Sequence, residues 1–224
     1  MELYSIDIRS WTSSFRYPNL ISGIQPTLEV PPISTVLGLI NAAAGRYVSY
    51  KELTIGYYFE FQGKETDLET IYMIDSNKGN ATNNAKSNVI KREFLFENLL
   101  RLYVTDEAIV NYFKSPVYSL VLGRMNDLAF VDVAGIKNVN LEEVKQAGNI
   151  RGQIVPFANN YLPGIIQALP KYFTDTIPRQ NIGTESYSIL NHKAKISSNL
   201  NAFRDTVNGK DVDIYLHQID FKNL

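Results

Sequence analysis

The first residues of the chain alternate. Tyr4, Ile6 and Ile8 take one side while Leu3, Ser5, Asp7 and Arg9 take the other, the period of two that predicts a strand. Residues 13–31 break the pattern with Pro18, Gly23, Pro26 and Pro31 and read as a loop. A helix is predicted from Pro32 or Ile33 through the small and aliphatic run that follows. Proline suits a first turn, Ser34 or Thr35 can cap it, and Gly45 can stop it. "LTIGYYFEFQG" and "TDLETIYMID" read as two strands joined by a polar turn at Gly63-Lys64. Residues 75–90, "DSNKGNATNNAKSNVI", are rich in Asn, Ser and Gly and are expected to form a mobile loop. "IKREFLFENLLRLYVTD" returns to strand. "DEAIVNYFK" predicts a short helix with Asp106 near its start and Lys114 near its end, and "PVYSLVLG" predicts another strand.

The order through Gly123 is therefore β-α-β-β-α-β, which predicts an α+β fold of the RRM/ferredoxin-like kind. The expected division is a core over residues 1–135, with an inserted basic loop or thumb near 75–92. Residues 136–224 are expected to form a C-terminal extension of short strands and loops packed on that core, ending in the strand-like "VDIYLHQIDF".

Composition narrows the chemistry. A chain of 224 residues that is 45% hydrophobic and 20% charged is an ordinary globular protein, and its net charge of −1 creates no global field toward nucleic acid or membrane. Without cysteine it has no disulfide, thiolate zinc site or cysteine nucleophile. No apolar run reaches the length of a membrane span, and the N-terminus lacks the features of a signal peptide, so the expectation is a cytoplasmic protein. Walker, dinucleotide-binding and nucleophile-elbow motifs are missing, and neither His192 nor His217 stands in a metal-ligand spacing. Neither a cofactor nor a metal is expected.

What remains is basic and aromatic. Lys78, Lys86, Lys91, Arg92 and Arg101 face only Glu93 and Glu97 between positions 78 and 101. A second basic region runs from Lys171 to Lys210, and asparagine and tyrosine are interleaved with both. Such a strip can pair with phosphates, stack on splayed bases and read base edges, or it can be a solvated face. Ser34 and Thr35 carry two readings as well, helix caps or hydroxyls beside the free amides of an anion-binding helix end. Arg124, just after Gly123, is either an ion-pair partner or a ligand contact.

Four segments, in order, are "SFRYPN", "PPISTVLGLINAAAGR", "KREFLFENLLRLYV" and "SPVYSLVLGRMNDLAFV". Together they resemble the fifth CRISPR-associated protein family, the 5′-handle-binding subunit of type I Cascade complexes, in a form closest to subtype I-B. The resemblance covers the first 135 residues well and the rest loosely. It implies a member of the RAMP superfamily with an RRM-like core and a protruding thumb. The implied role is to hold the 5′ handle of the crRNA beside the backbone subunit and the large subunit, meeting target DNA only through the complex. Carried over by position, the RNA-binding candidates are Arg16, Ser34, Thr35, Arg46, Lys91, Arg92 and Arg124, with Lys86 in the RNA-facing insertion. Met125 departs from the family, which commonly has serine there. In subtype I-C the family member itself cleaves precursor RNA without metal, using tyrosine, histidine and lysine. Tyr187, His192 and Lys193, with Lys195, form the one cluster of those types here. Because I-B systems use a separate nuclease, the expectation is a binding subunit with no catalytic residue.

Overall fold

The computed structural model describes residues 1–20, 23–49 and 52–221. Positions 21–22 of the predicted loop and 222–224 of the predicted extension lie outside them. The elements are β1 (Glu2–Ser13), β2 (Phe15–Arg16), β3 (Ile24–Gln25), β4 (Thr27–Leu28), α1 (Ile33–Ala44), β5 (Leu53–Asn77), β6 (Asn80–Val104), α2 (Glu107–Lys114), β7 (Leu120–Val121) and β8 (Leu128–Asn140). After these come β9 (Glu142–Val144), β10 (Gln153–Pro156), β11 (Ile165–Phe173), β12 (Asn181–Leu190), β13 (Ala202–Val207), β14 (Lys210–Ile214) and β15 (His217–Ile219). The class is α+β, dominated by antiparallel sheet. The main sheet runs β15-β5-β6-β1-β8-β7, with β3 added in parallel beside β6.

Helix α1 forms where the spacing predicts it. Ile33, Val36, Leu37, Ile40 and Ala43 recur at intervals of three and four and are buried against the sheet. Its N-cap is Pro32 with no side-chain cap bond, so the expected capping by Ser34 or Thr35 does not occur. The entrance is held from below instead, by the buried Tyr57 hydroxyl donating to the Pro31 carbonyl at 2.7 Å. Gly45 ends the helix at φ 69°, and a Cβ there would sit 2.6 Å from Val117. In α2 the Asp106 carboxylate accepts from the Ala108 amide at 2.8 Å, the cap the sequence suggests.

The alternation of β1 does not sort buried from exposed, because both of its faces are covered. Ile6 and Ile8 join Tyr57, Phe59, Leu100 and Leu102 beneath the helices. Leu3 joins Tyr58, Leu99 and Tyr103 on the opposite face, under Val207, Val212 and Ile214 of the β13–β14 hairpin. The C-terminal part therefore closes one side of the sheet, and β8 runs straight through the boundary expected at 135/136. Between the layers lies a charged network. Arg101 holds Asp7 with two bonds of 2.6 and 2.8 Å and reaches Asp205 at 3.2 Å, where the Tyr103 hydroxyl also donates at 2.6 Å.

The largest departure from the sequence reading is at residues 63–90. Neither a turn at Gly63-Lys64 nor a mobile loop at 75–90 is present. Both segments belong to one antiparallel ribbon whose pairing continues to Asn77↔Asn80. The reversal is at Lys78-Gly79, both with positive φ (50° and 82°), as a tight hairpin turn requires. From Lys64 outward the ribbon extends about 45 Å at ~3.3 Å per residue. No residue from 62 to 89 is buried, so no hydrophobic periodicity marks these strands. One face carries Leu68, Tyr72, Ile74 and Val89, all exposed.

Candidate nucleic-acid interface

Five of the eight RNA-binding candidates meet. Arg16, Ser34, Thr35, Arg92 and Arg124 line one cleft of about 420 Å³ at the N-terminus of α1, closed by Pro32, Leu169, Pro170 and Phe173. They arrive from four parts of the chain. Arg16 comes from β2, paired with Thr27 of β4. Ser34 and Thr35 stand on the first turn of α1, half-buried. Arg92 comes from the base of the ribbon, and Arg124 follows β7.

Gly123 explains how the last of these gets there. Its φ is 121°, and a Cβ would lie 2.0 Å from the Ser14 carbonyl oxygen, so the two loops touch only if this residue is glycine. Arg124 then folds back on the fully buried Asp127. Its backbone amide donates to Asp127 Oδ2 at 3.0 Å, Nε to Oδ2 at 3.1 Å and Nη2 to Oδ1 at 3.2 Å. Thr12 adds a bond of 2.7 Å to the same carboxylate. Burial works against the guanidinium's charge, but these bonds and the Asp127 charge outweigh it and raise its pKa. Arg92 is also committed: it is buried and ion-paired with Glu69 of β5 at 2.5 Å. Arg16 is exposed and has no ion pair among the described residues. The cleft thus offers one free guanidinium, two neutralised ones, two hydroxyls and the uncapped end of a helix. Such a set can hold an anion, with Arg16 as the mobile contact and the others as walls.

The remaining candidates lie elsewhere. Arg46 is at the opposite end of α1, about 18 Å away at ~1.5 Å per residue, where it donates to the Tyr112 hydroxyl at 3.0 Å. Lys86 is far out on the ribbon opposite Met73, and Lys91 points away from its neighbour Arg92 and is exposed. The ribbon is not a basic arm. The bases Lys78, Lys86, Lys91 and Arg92 are matched by Glu65, Asp67, Glu69 and Asp75, most of them on the partner strand.

Tyr187, His192 and Lys193 do not line a common cavity. Tyr187 is 1% exposed in the main core, its hydroxyl bonded to Glu185 at 3.2 Å, and burial raises its pKa. His192 packs edge-on against Phe61 with ring centres 4.6 Å apart, and burial, then Lys193, lowers its pKa. Lys193 is exposed and borders a separate cavity beside Glu29 and Lys64. His217 is fully buried and stacked on Tyr57. No group of His, Asp or Glu among the described residues is arranged to hold a metal, and none of their helices is long and apolar enough to cross a membrane.

Two contributors have no visible signal in the sequence. Glu69 reads as part of an ordinary strand, and Phe173 belongs to a region with no clear pattern; only Asp127, three residues after Arg124, has a spacing that suggests its role.

No protein-family model matches this chain, and no curated protein matches it. Among solved structures, a chain of a CRISPR RNA-guided surveillance complex aligns over 87% of this chain and 90% of its own length, with a TM-score of 0.56 at 16% identity. A chain of a type III-B Cmr-beta complex bound to cognate target RNA and AMPPnP aligns over 89% and 86%, with a TM-score of 0.55 at 12% identity. The same complex bound to target RNA gives a TM-score of 0.50 over 88% and 86%, at 12% identity. Nearly the whole chain therefore shares its fold with chains of CRISPR effector complexes.

Proposed function

We propose that this protein is a non-catalytic RNA-binding subunit of a CRISPR effector complex, of the type I Cascade form. In this role it caps the 5′ handle of the guide RNA, touches the backbone and large subunits, and meets target DNA only through the complex. The observation that carries the reading is the cleft at the N-terminus of α1, where Arg16, Ser34, Thr35, Arg92 and Arg124 converge from four parts of the chain. The shared fold with a chain of an RNA-guided surveillance complex supports it. An RRM/ferredoxin-like core is supported by the chain order β1-α1-β5-β6-α2-β8 and the spatial order β5-β6-β1-β8, antiparallel throughout. The ribbon is the thumb of that description.

The test is co-purification of guide-length RNA with the assembled complex. Arg16→Glu and Thr35→Glu change exposed or half-exposed side chains at the cleft and spare the buried Asp127. RNA retention is expected to fall while the chain still folds and assembles; unchanged retention with both variants would sink the reading. The nuclease alternative requires cleavage of a repeat RNA by the isolated chain in chelator, lost in His192→Ala. With Tyr187 buried and Lys193 facing another cavity, no cleavage is expected.

A further inference from the structure

The cleft does not end at the helix N-terminus. It shares Pro18, Pro170 and Phe173 with a neighbouring hollow that holds Arg179, and that hollow shares Phe173 and Arg179 with a cavity of about 400 Å³ along α1. This third cavity passes the exposed Gly38 and reaches Arg46. A Cβ on Gly38 would meet nothing within 4 Å, so the helix surface is open there. The three hollows form one groove running the length of α1, about 18 Å. Its walls carry Arg16, Arg46, Arg92, Arg124 and Arg179 against one carboxylate, Asp175. Arg92 and Arg124 are neutralised by Glu69 and Asp127, so the groove's uncompensated charge comes from Arg16, Arg46 and Arg179 against Asp175, a local positive excess in a chain of net charge −1. Of two other cavities, the one around Trp11 carries two cations and two carboxylates, and the one around Tyr17 carries Lys64 and Lys193 with Glu29, which ion-pairs with Lys64.

Aromatic groups line the same groove. Phe173, at the end of β11, borders all three hollows and is 39% exposed. Its backbone carbonyl accepts from the Tyr47 hydroxyl at 3.0 Å, which fixes the end of the strand against the helix exit. Tyr118 lies exposed on the far wall, and Arg179 makes no ion pair among the described residues. Free guanidiniums spaced along a groove with a solvent-facing ring between them match the needs of a single strand. Phosphates take the cations, and an unstacked base takes the ring.

We infer that single-stranded RNA follows this groove from the cleft at Arg16 to Arg46, with Phe173 as its base platform and Arg179 as its central phosphate contact. This rests on the RNA-binding reading and extends it to residues that reading does not assign. It also returns Arg46 to the site, as the far end of one track.

The full chain is titrated against a fluorescently labelled single-stranded RNA of guide length, with anisotropy read at several salt concentrations. Arg179→Glu is expected to weaken binding tenfold or more and to lower the salt slope by about 0.7, one phosphate contact on a single strand. Phe173→Leu should weaken binding about tenfold while Phe173→Trp preserves it, a pattern that loss of packing alone would not produce. Lys145→Glu, exposed and outside the groove, should change nothing. If Arg16→Glu weakens binding but Arg179→Glu and Phe173→Leu leave affinity and slope intact, the track is refuted and the cleft reading stands. If the unsubstituted chain fails to bind the RNA, both fall.

Discussion

His217 provides a sharp test of the packing because it is a buried ionisable group with no charged partner. Its ring is stacked on Tyr57 at 6.1 Å, meets Tyr215 edge-on at 4.9 Å, and donates from Nε2 to the Ile154 carbonyl at 3.1 Å. Burial, aided by the nearby Lys171 charge and opposed by the Ile154 bond, pushes its pKa down to about 4. In the unfolded chain the same ring titrates near 6.5. Above that pH both states are neutral and the shift costs nothing. Below it the unfolded chain takes up a proton that the folded chain refuses, so stability falls until both are charged near pH 4. The full loss is about 3 kcal/mol, with about 2 kcal/mol gone by pH 5. His217→Gln keeps a donor for Ile154 but cannot titrate. Urea unfolding at pH 7, 6, 5 and 4.5 should show the variant less stable at neutral pH, with the difference shrinking by about 2 kcal/mol as pH falls. Carboxylates contribute equally to both proteins and cancel. His192, the other histidine, is shifted the same way and is present in both. A difference that stays constant from pH 7 to 4.5 would mean that His217 is charged or hydrated in the folded chain, and the burial argument would fail.

Three further outcomes follow from the geometry. Gly123→Ala should cost more than ~2 kcal/mol in thermal unfolding, since a Cβ 2.0 Å from the Ser14 carbonyl oxygen adds to an unfavourable φ; a melting temperature equal to the parent's would contradict the close approach. Arg101→Met should lose about 3 kcal/mol by leaving Asp7 buried without its partner. Adding Asp7→Asn should recover part of that loss in chemical denaturation, and simple additivity would refute the coupling. Replacing residues 71–88 by Asn-Gly should leave the melting temperature within a few degrees, because the excised segment contains no buried residue and Glu69 stays with Arg92. Loss of a cooperative melt would show that the ribbon supports the core.

Where hydrophobic spacing and burial coincide, the sequence could be read. Helix α1 with its Gly45 stop and helix α2 with Asp106 each bury one clear face, and β6 from Ile90 onward is dense enough in apolar residues to read as a strand. β1 was legible as a strand but not as a doubly covered one, because the hairpin that covers it lies some 200 residues away in the chain. The ribbon was hidden for the opposite reason. Strands that bury nothing have no apolar period, and Asn-Ser-Gly composition then imitates a loop. At the candidate site the residue types were legible but their pairing was not. Arg92 and Arg124 were found as cations, while Glu69 and Asp127, which neutralise them, are recognised only once the strands are in register. The adjacency of His192 and Lys193 in sequence suggested a shared site, but on an irregular segment neighbouring side chains face different cavities.

The ribbon has one more consequence. Beyond Leu53–Ile55, where β15 pairs with β5, and beyond Lys91–Arg92, where β3 meets β6, neither outer edge has a neighbouring strand among the described residues. Each edge presents a row of backbone donors and acceptors beside the exposed Leu68, Tyr72, Ile74 and Val89. Two open edges make this arm a template onto which an extended segment of another chain can add on either side, and the same property makes the chain prone to pair with itself when produced alone.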